Sequence, residues 1–228
     1  MKITVHRALA RIKTTEKRLL DISDEIMKDA CQDKVLIDIY SNKNKVCRST
    51  AKPEEDTEKL IQGTWDKFNS LFDELVKLKR AITLSNAGID ADEYDMLNTV
   101  KVCDKKYTIA ELIVLKTVIG FKKSFLATMK AHYSHTIIRF NDMQEDVNSA
   151  LNRMLESNLG ADAKKLDKAV IDTIAKPYLE MNAYTLVDPL NLSEKIEKME
   201  QEIDAWETEA DAAFSEANAL RTIDFDVA

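Results

Sequence analysis

The longest uninterrupted helical pattern in the chain is TIAELIVLKTVIGFKKSFLATMKAHYSHTIIRFNDMQEDVNSALNRMLES, which runs from Thr108 to Ser157 without a proline. From Leu112 onward, residues in alternating steps of four and three are mostly apolar, which is the heptad pattern of a helix that packs on other helices. These positions are Leu112, Lys116, Ile119, Lys123, Leu126, Lys130, Tyr133, Ile137, Phe140, Gln144, Val147, Leu151 and Met154. At about 1.5 Å per residue the helix would be on the order of 70 Å long, so it needs partner helices beside it.

The sequence predicts where this helix begins and where it ends. Thr108-Ile-Ala-Glu111 is a capping box, in which the threonine hydroxyl and the glutamate carboxylate bond each other's backbone N–H groups. Asn158-Leu-Gly160 predicts the end, because glycine readily takes the left-handed conformation that closes a last turn.

Four further helices are predicted around the long one. The first begins at Thr4 and ends near Asp29, the second follows Pro53 and ends at Gly88, and the third runs from Asp162 to about Met181, with Pro177 expected to kink or end it. The last begins at Asp188 or Asn191. The first has an apolar seam at Val5, Leu9, Ile12, Leu19 and Ile26; the second at Ile61, Trp65, Phe68, Phe72, Leu75, Lys79 and Ile82; the last at Ile196, Met199, Ile203, Trp206, Ala210, Ala213 and Ala217.

Short β elements are predicted between the helices. Val35–Tyr40 is rich in β-branched residues and precedes a turn, so it predicts a small hairpin that returns through Val46. Thr99–Cys103 alternates like a strand before a turn at Asp104, and we expect it to join the first hairpin in one small sheet. Thr222–Val227 predicts a terminal strand.

The sequence thus predicts a mainly α protein in which long antiparallel helices form a coiled-coil-like bundle with small β-hairpin elements. Residues 1–107 would hold the first helical pair and its β elements, and residues 108–228 the long, kinked and C-terminal helices with the terminal strand, unless the two form one continuous domain. The residues expected to pack in helix seams are Trp65, Phe68, Phe72, Leu126, Tyr133, Ile137, Ile203 and Trp206.

Composition narrows the functional classes. The formal charge of −7 argues against a nucleic-acid-binding protein, and a cluster at Lys122, Lys123 and Lys130 is typical of a solvated helix face. Three scattered cysteines indicate a reducing compartment, and the start of the chain lacks the apolar core of a signal peptide. Because the longest apolar stretch, Ala110–Phe121, is too short to span a bilayer, we expect a soluble intracellular product.

No residue cluster predicts a reaction. His132 and His135 stand three apart on the long helix, but two ligands do not make a zinc site, so we expect one at the seam margin and the other in solvent. The last helix has an acidic face, which we expect to be solvated or to lie against a basic neighbour, for which the lysines of the long helix are candidates. These acids are Glu200, Glu202, Asp204, Glu207, Glu209 and Asp211. We therefore predict no enzyme activity, no cofactor and no metal.

Five segments together resemble a known family: Met1–Ala10, Leu78–Ala87, Tyr107–Lys116, Leu186–Ile196 and Phe214–Ile223. They are similar to a family of helical structural proteins of tailed bacteriophages and prophages of Gram-positive hosts. The second and third segments are also similar to septicolysin-like helical proteins. The bacteriophage resemblance implies a virion protein of the tail, baseplate or head-tail region, made in the host cytoplasm.

The same resemblance implies the partners. They would be other virion proteins and further copies of the chain, bound through helical seams and strand edges, without nucleic acid or membrane. Two alternatives remain open at this point. One is a pore-forming or membrane-surface helical protein, which the septicolysin likeness favours, and the other is a cytosolic oligomeric scaffold.

Overall fold

A computed structural model of the protein describes residues 3–28, 34–43, 54–88, 99–159 and 168–220. The helices of this part are α1 (Val5–Ile26), α2 (Glu54–Asn86), α3 (Ile109–Leu159), α4 (Lys168–Asn182) and α5 (Leu192–Leu220). Its strands are β1 (Asp38–Ser41), β2 (Val100–Val102), β3 (Lys105–Tyr107) and β4 (Tyr184–Val187). The predicted fold class, mainly α with small β elements, is confirmed.

The capping box at the start of α3 forms as predicted. The Thr108 N–H donates to Glu111 Oε2 at 2.8 Å, and the Glu111 N–H donates to Thr108 Oγ1 at 3.2 Å. Two backbone donors that no helical carbonyl can reach are thereby satisfied. From this start α3 continues for 51 residues.

From Glu111 to Thr136, α3 buries heptad positions that lie one residue before the predicted ones, and it also buries Leu112, Leu126 and Leu151 of the predicted set. Lys116, Lys123 and Lys130 were predicted in the seam and are exposed. The side chains that turn inward are buried or half-buried at Glu111, Leu115, Val118, Lys122, Phe125, Met129, His132 and Thr136. The shift has a physical reason, since it spares three ammonium groups from burial in an apolar seam.

The other predicted seams agree with the structure to different degrees. In α5 the seam is confirmed: Met199, Ile203, Ala210, Ala213 and Ala217 are buried. In α1 the prediction was wrong at Val5 and Leu9, which are exposed. Its buried residues are Ala8, Ile12, Thr15, Leu19, Ile22, Ser23 and Ile26. The buried positions of α2 are Thr57, Ile61, Thr64, Phe68, Leu71 and Leu75.

The directions of neighbouring helices can be read from their ion pairs. Arg11 pairs with Glu74, and Glu16 pairs with Lys79 at 2.7 Å, so each residue of α2 lies 63 positions after its partner on α1. A constant difference means that α1 and α2 run parallel, which corrects the prediction of antiparallel helices for this pair. The segment that connects the two helices is long enough to lead from the end of α1 back to the level of its start, so that α2 can run in the same direction.

Antiparallel packing does hold for α3 and its two neighbours. Along α2 and α3, the contacts Phe68 with Phe125 and Arg80 with Glu111 progress in opposite directions. On α3 and α5, Lys116 pairs with Asp211 and Lys123 pairs with Glu207, so the partner number falls as the α3 number rises and these two helices are also antiparallel.

The strands form two separate antiparallel pairs. Strand β1 pairs with β4, with Asp38 opposite Val187, and β2 pairs with β3, with Val100 opposite Tyr107. In the part of the chain that the structure describes, the strands therefore do not join in the single small sheet that was predicted. The expected return strand through Val46 and the terminal strand at 222–227 lie outside that part.

Contacts within the chain define two compact units. The first comprises residues 1–27, 66–128 and 194–228, and the second comprises 28–65 and 129–193. Each unit thus combines segments from both sides of residue 107, where the sequence suggested a boundary. The second unit contains the β1–β4 pair and α4, and the first contains the β2–β3 hairpin and the site described next.

Candidate functional site: a groove in the first unit

A groove of about 540 Å³ lies among α2, α3, α5 and the β2–β3 hairpin of the first unit. Its apolar lining, which we call the floor, comes from the three helices and consists of Phe72, Val76, Leu115, Val118, Ile119 and Trp206. Its charged lining residues, which we call the margin, are Asp73, Lys105, Lys122 and Glu202. The volume and the apolar floor match those of protein sites that receive an apolar group.

An aromatic stack supports the floor from below. The rings of Phe68 and Phe125 lie nearly parallel, at 8°, with centroids 3.5 Å apart, and both side chains are buried. The Phe68 ring also stacks on Phe72, with a centroid distance of 6.2 Å. Because Phe72 is half-buried and lines the groove, the stack joins the core of the unit to the floor of the site.

Three ion pairs connect α3 with α5 beside the groove. Lys122 bonds Glu202, Lys123 bonds Glu207 and Lys116 bonds Asp211, with each pair of N and O atoms 2.7 Å apart. Three acids of the predicted acidic face, Glu202, Glu207 and Asp211, therefore lie against lysines of the long helix. The hydrogen bond to Asp211 and its charge raise the pKa of Lys116. Exposed pairs of this kind contribute little stability, but they fix the register of the two helices.

The β2–β3 hairpin forms one wall of the groove through a tight turn. Cys103 and Asp104 have φ angles of 46° and 62°, which are the positive values of the two central residues in a type I′ turn. Lys101 bonds Asp104 across the turn at 2.6 Å, and this hydrogen bond lowers the pKa of the Asp104 carboxyl. On the α5 side, the Cys103 N–H donates to Glu209 Oε2 at 2.6 Å.

On the α2 side, a buried ion pair anchors the same hairpin. The Glu111 side chain has no exposed surface, and its Oε1 accepts from Arg80 Nε at 2.9 Å. The Arg80 guanidinium lies 4.8 Å from the centre of the Tyr107 ring and also donates to the Lys106 carbonyl at 3.4 Å. Burial raises the pKa of the Tyr107 hydroxyl. Since α2 and α5 both hold the hairpin, the wall of the groove is fixed.

The structure distributes the predicted seam residues over two environments. Phe68, Leu126 and Ile203 are buried, at 1%, 8% and 2% exposure. The half-buried ones are Trp65, Phe72, Tyr133, Ile137 and Trp206. The groove brings together two members of the set, Phe72 and Trp206.

Sequence reasoning missed the contribution of the hairpin to this site. Cys103, Lys105 and Tyr107 line the groove, although the sequence predicted only a strand and a turn in this region. The available signal was the alternation before Cys103, which places alternate side chains on one face. It did not indicate that this face would lie over α2 and α5.

The two histidines of the long helix are placed as expected. His132 is half-buried, with Nε2 at 3.2 Å from the Ile37 carbonyl oxygen, and His135 is exposed. In the described ranges no group of three or more His, Cys, Asp or Glu residues is arranged to hold a metal ion. No helix in those ranges is long and apolar enough to cross a membrane.

Comparison of the chain with protein family models, with curated proteins and with solved structures found no match.

Proposed function

We propose that the chain is a non-enzymatic structural or assembly subunit that binds another protein through the groove of its first unit, and that the assembly is a bacteriophage virion. The observation that carries the binding proposal is the concave apolar floor with Phe72 and Trp206 half-buried in it. Half-buried tryptophan and phenylalanine side chains in a concave surface are typical of residues that dominate protein interfaces.

The charges around the floor favour an apolar anchor from the partner. Lys122 is already bonded to Glu202, so these two margin residues need no charge from an incoming group. The groove instead fits an aliphatic or aromatic side chain that projects from a partner protein.

The edge of β4 is less suited to binding than the groove. The Gln144 side chain accepts from the Tyr184 N–H at 3.2 Å and donates to the Tyr184 carbonyl at 3.4 Å. A side-chain amide therefore occupies the backbone groups that an added strand would need at this position. Of the two contact modes expected from the sequence, we thus favour helices over strand edges.

The assignment to a virion rests on the resemblance given above. Two of the resembling segments, Leu78–Ala87 and Tyr107–Lys116, contain the side chains that hold the hairpin at the groove: Arg80, Tyr107 and Glu111. The segments that carry the likeness are therefore also the segments that build the proposed binding site. The proposed location is the tail, baseplate or head-tail region.

The virion assignment is tested on purified particles. Phage particles from an induced host culture are banded on a density gradient, and the chain is quantified by mass spectrometry relative to the major capsid protein. A constant ratio across the particle band, and in isolated tails, is the expected result. Recovery of the chain only in the particle-free fractions would overturn the assignment.

The groove is tested with an arginine placed in its lining. Ala205 is an exposed residue of α5 that lines the groove, and Ala205→Arg is expected to lower the particle-associated amount of the chain about fivefold or more. Ala127→Arg is the matched control, because Ala127 is exposed on α3 in the same unit and does not line the groove. Equal incorporation of both variants would contradict binding through the groove.

A further inference from the structure

The first helix carries a second apolar face in addition to its buried seam. Val5, Leu9, Leu20 and the C-cap residue Met27 are exposed to 41%, 52%, 47% and 52%. At about 100° per residue these four side chains fall within a sector of roughly 60° along the helix. We call this set the α1 stripe. Glu16, which bonds Lys79, and the buried Ser23 fall in the same sector, so the stripe consists of Val5 and Leu9 near one end of the helix and Leu20 and Met27 near the other. Large apolar side chains grouped on one side of a helix, unlike apolar residues scattered over a surface, mark an interaction face.

The stripe is distinct from the part of α1 that packs in its own unit. The buried residues from Ala8 to Ile26 centre roughly 90° away around the helix axis. Arg11 and Glu16 pair with Glu74 and Lys79 of α2, so α1 is already anchored in its unit without the stripe. The exposed fractions of the stripe therefore describe a face that remains uncovered after the unit has folded.

Charge divides the same helix into two halves. The N-terminal half is basic, with Arg7, Arg11, Lys13, Lys17 and Arg18 against a single acid, Glu16. The following segment is acidic, with Asp21, Asp24 and Glu25. A helix with this distribution is complementary to a copy of itself that runs in the opposite direction, and it repels a copy that runs in the same direction.

We propose that the α1 stripe binds the α1 stripe of a second copy of this chain, with the two helices antiparallel about a two-fold axis. Such an interface is isologous, so one self-complementary face closes the dimer and leaves no further copy to add. When Leu9 lies level with Met27 of the second copy, Lys13 lies beside the second copy's Asp24. Lys13, Lys17 and Asp24 all fall on the side of α1 next to the stripe and away from the buried seam.

This inference does not depend on the proposed function, because the stripe and the groove are formed by different residues. A dimer with no virion association, or a virion protein that is monomeric in solution, would separate the two. The alternative occupant of the stripe is a membrane surface, which gives a different result in the experiments below.

The first experiment measures self-association by sedimentation equilibrium of the full chain. The wild type is expected to dimerise at micromolar concentration, and Leu20→Glu is expected to weaken the dimer about a hundredfold or more, because each interface would bury two carboxylates in the apolar stripe. Ile113→Glu is the control: Ile113 is 58% exposed on α3 of the same unit and lies outside the stripe. Circular dichroism and thermal unfolding check that both variants are folded.

Two results of this experiment would overturn the proposal. One is a wild type that stays monomeric throughout the micromolar range. The other is a dimer that Ile113→Glu disrupts as strongly as Leu20→Glu does. A monomeric wild type that floats with anionic vesicles, while Leu20→Glu does not, would assign the stripe to a membrane surface instead.

The second experiment uses charge reversal to test the direction of the helices. Lys13→Glu and Asp24→Lys each place like charges opposite one another in the antiparallel dimer, and each alone is expected to weaken it about tenfold. Mixing the two variants should restore the association, because both Lys–Asp contacts then become attractive again across a heterodimer. Failure of the mixture to associate better than either variant alone would overturn the antiparallel arrangement.

Discussion

The two strand pairs of this protein are similar in size but are held by different forces. The β2–β3 hairpin joins neighbouring strands through a two-residue turn, and the buried Glu111–Arg80 ion pair anchors it to the helices. The β1–β4 pair joins distant parts of the chain, where Thr185 Oγ1 donates to Asn42 Oδ1 across 143 positions. Neutral side-chain amides hold it, chiefly Gln144 at the backbone of Tyr184.

The β2–β3 hairpin is formed by residues close in sequence, whereas the β1–β4 pair depends on residues far apart in sequence. Closing a two-residue turn costs little chain entropy, so the hairpin needs only an anchor to fix it on the first unit. Pairing β1 with β4 closes a much longer loop, so it costs more chain entropy, and contacts within the second unit must offset that cost. We therefore expect charge changes to damage the first pair and amide changes to damage the second.

The largest effect is expected from Glu111→Ala. The substitution removes the partner of the half-buried Arg80 and half of the capping box of α3, and we expect it to lower the free energy of unfolding by about 3 kcal/mol. Urea unfolding followed by circular dichroism measures the change. Glu74→Ala is the control, because Glu74 forms a more exposed pair with Arg11 and its loss should cost less than about 1 kcal/mol. Equal costs would show that the buried pair does not anchor the hairpin.

A smaller effect is expected from Gln144→Leu, which keeps the size of the side chain but removes both bonds to Tyr184. The expected cost is about 1–2 kcal/mol, accompanied by faster hydrogen exchange at the Tyr184 amide and unchanged exchange in β2 and β3. Gln201→Leu serves as the control, since Gln201 is exposed on α5 and bonds its helical neighbour Glu197. Unchanged protection of the Tyr184 amide would refute the role of Gln144.

The features that could be predicted are those whose partners lie close in sequence or share one repeating pattern. The capping box was predictable because Thr108 and Glu111 stand three residues apart. The seam of α5 was predictable because one face is uniformly Met, Ile and Ala in heptad steps. The heptad register of α3 could not be predicted from the sequence alone, because the apolar residues from Leu112 to Ile119 cover more than one face of the helix and allow two adjacent registers.

The features that escaped prediction depend on long-range contacts. No strand was predicted at Tyr184–Val187, because its partner β1 lies in a distant segment that no local pattern identifies. The groove likewise requires Phe72 of α2, Trp206 of α5 and the hairpin to meet, which follows from helix directions that only the structure reveals. Each of the two aromatic residues was predicted as a seam residue, but the site that they form together was not.

The β1–β4 region should also respond to acid, through Asp188 at the end of β4. Its carboxylate accepts from the Leu192 N–H at 2.9 Å, and burial raises its pKa above the ordinary value of 3.8, against the effect of the backbone hydrogen bonds. The folded protein thus holds this proton more tightly than the unfolded chain does. The resulting stabilisation is present below about pH 3.8 and is lost as the pH rises through the raised pKa of the folded state.

Asp188→Asn tests this dependence, because asparagine can still cap α5 but does not titrate. We subtract the free energy of unfolding of the variant from that of the wild type. This difference should be largest near pH 3.5 and should fall to a constant value toward neutral pH. Asp188→Ala should give the same pH dependence with an additional constant loss of about 1 kcal/mol for the missing cap. A difference that rises with pH would contradict the raised pKa.

The smallest effect concerns the reactivity of Cys103 in the β2–β3 turn. Desolvation and the carboxylates of Glu209 and Asp104 raise the pKa of its thiol, so the exposed Cys103 should be mostly protonated and slow to alkylate at neutral pH. In a Cys31→Ser/Cys47→Ser background, the pH midpoint of the iodoacetamide reaction reports this pKa. Glu209→Gln should lower the midpoint, whereas Glu207→Gln, which removes the partner of Lys123, should not. If both variants leave the midpoint unchanged, Glu209 does not set the charge environment of the turn.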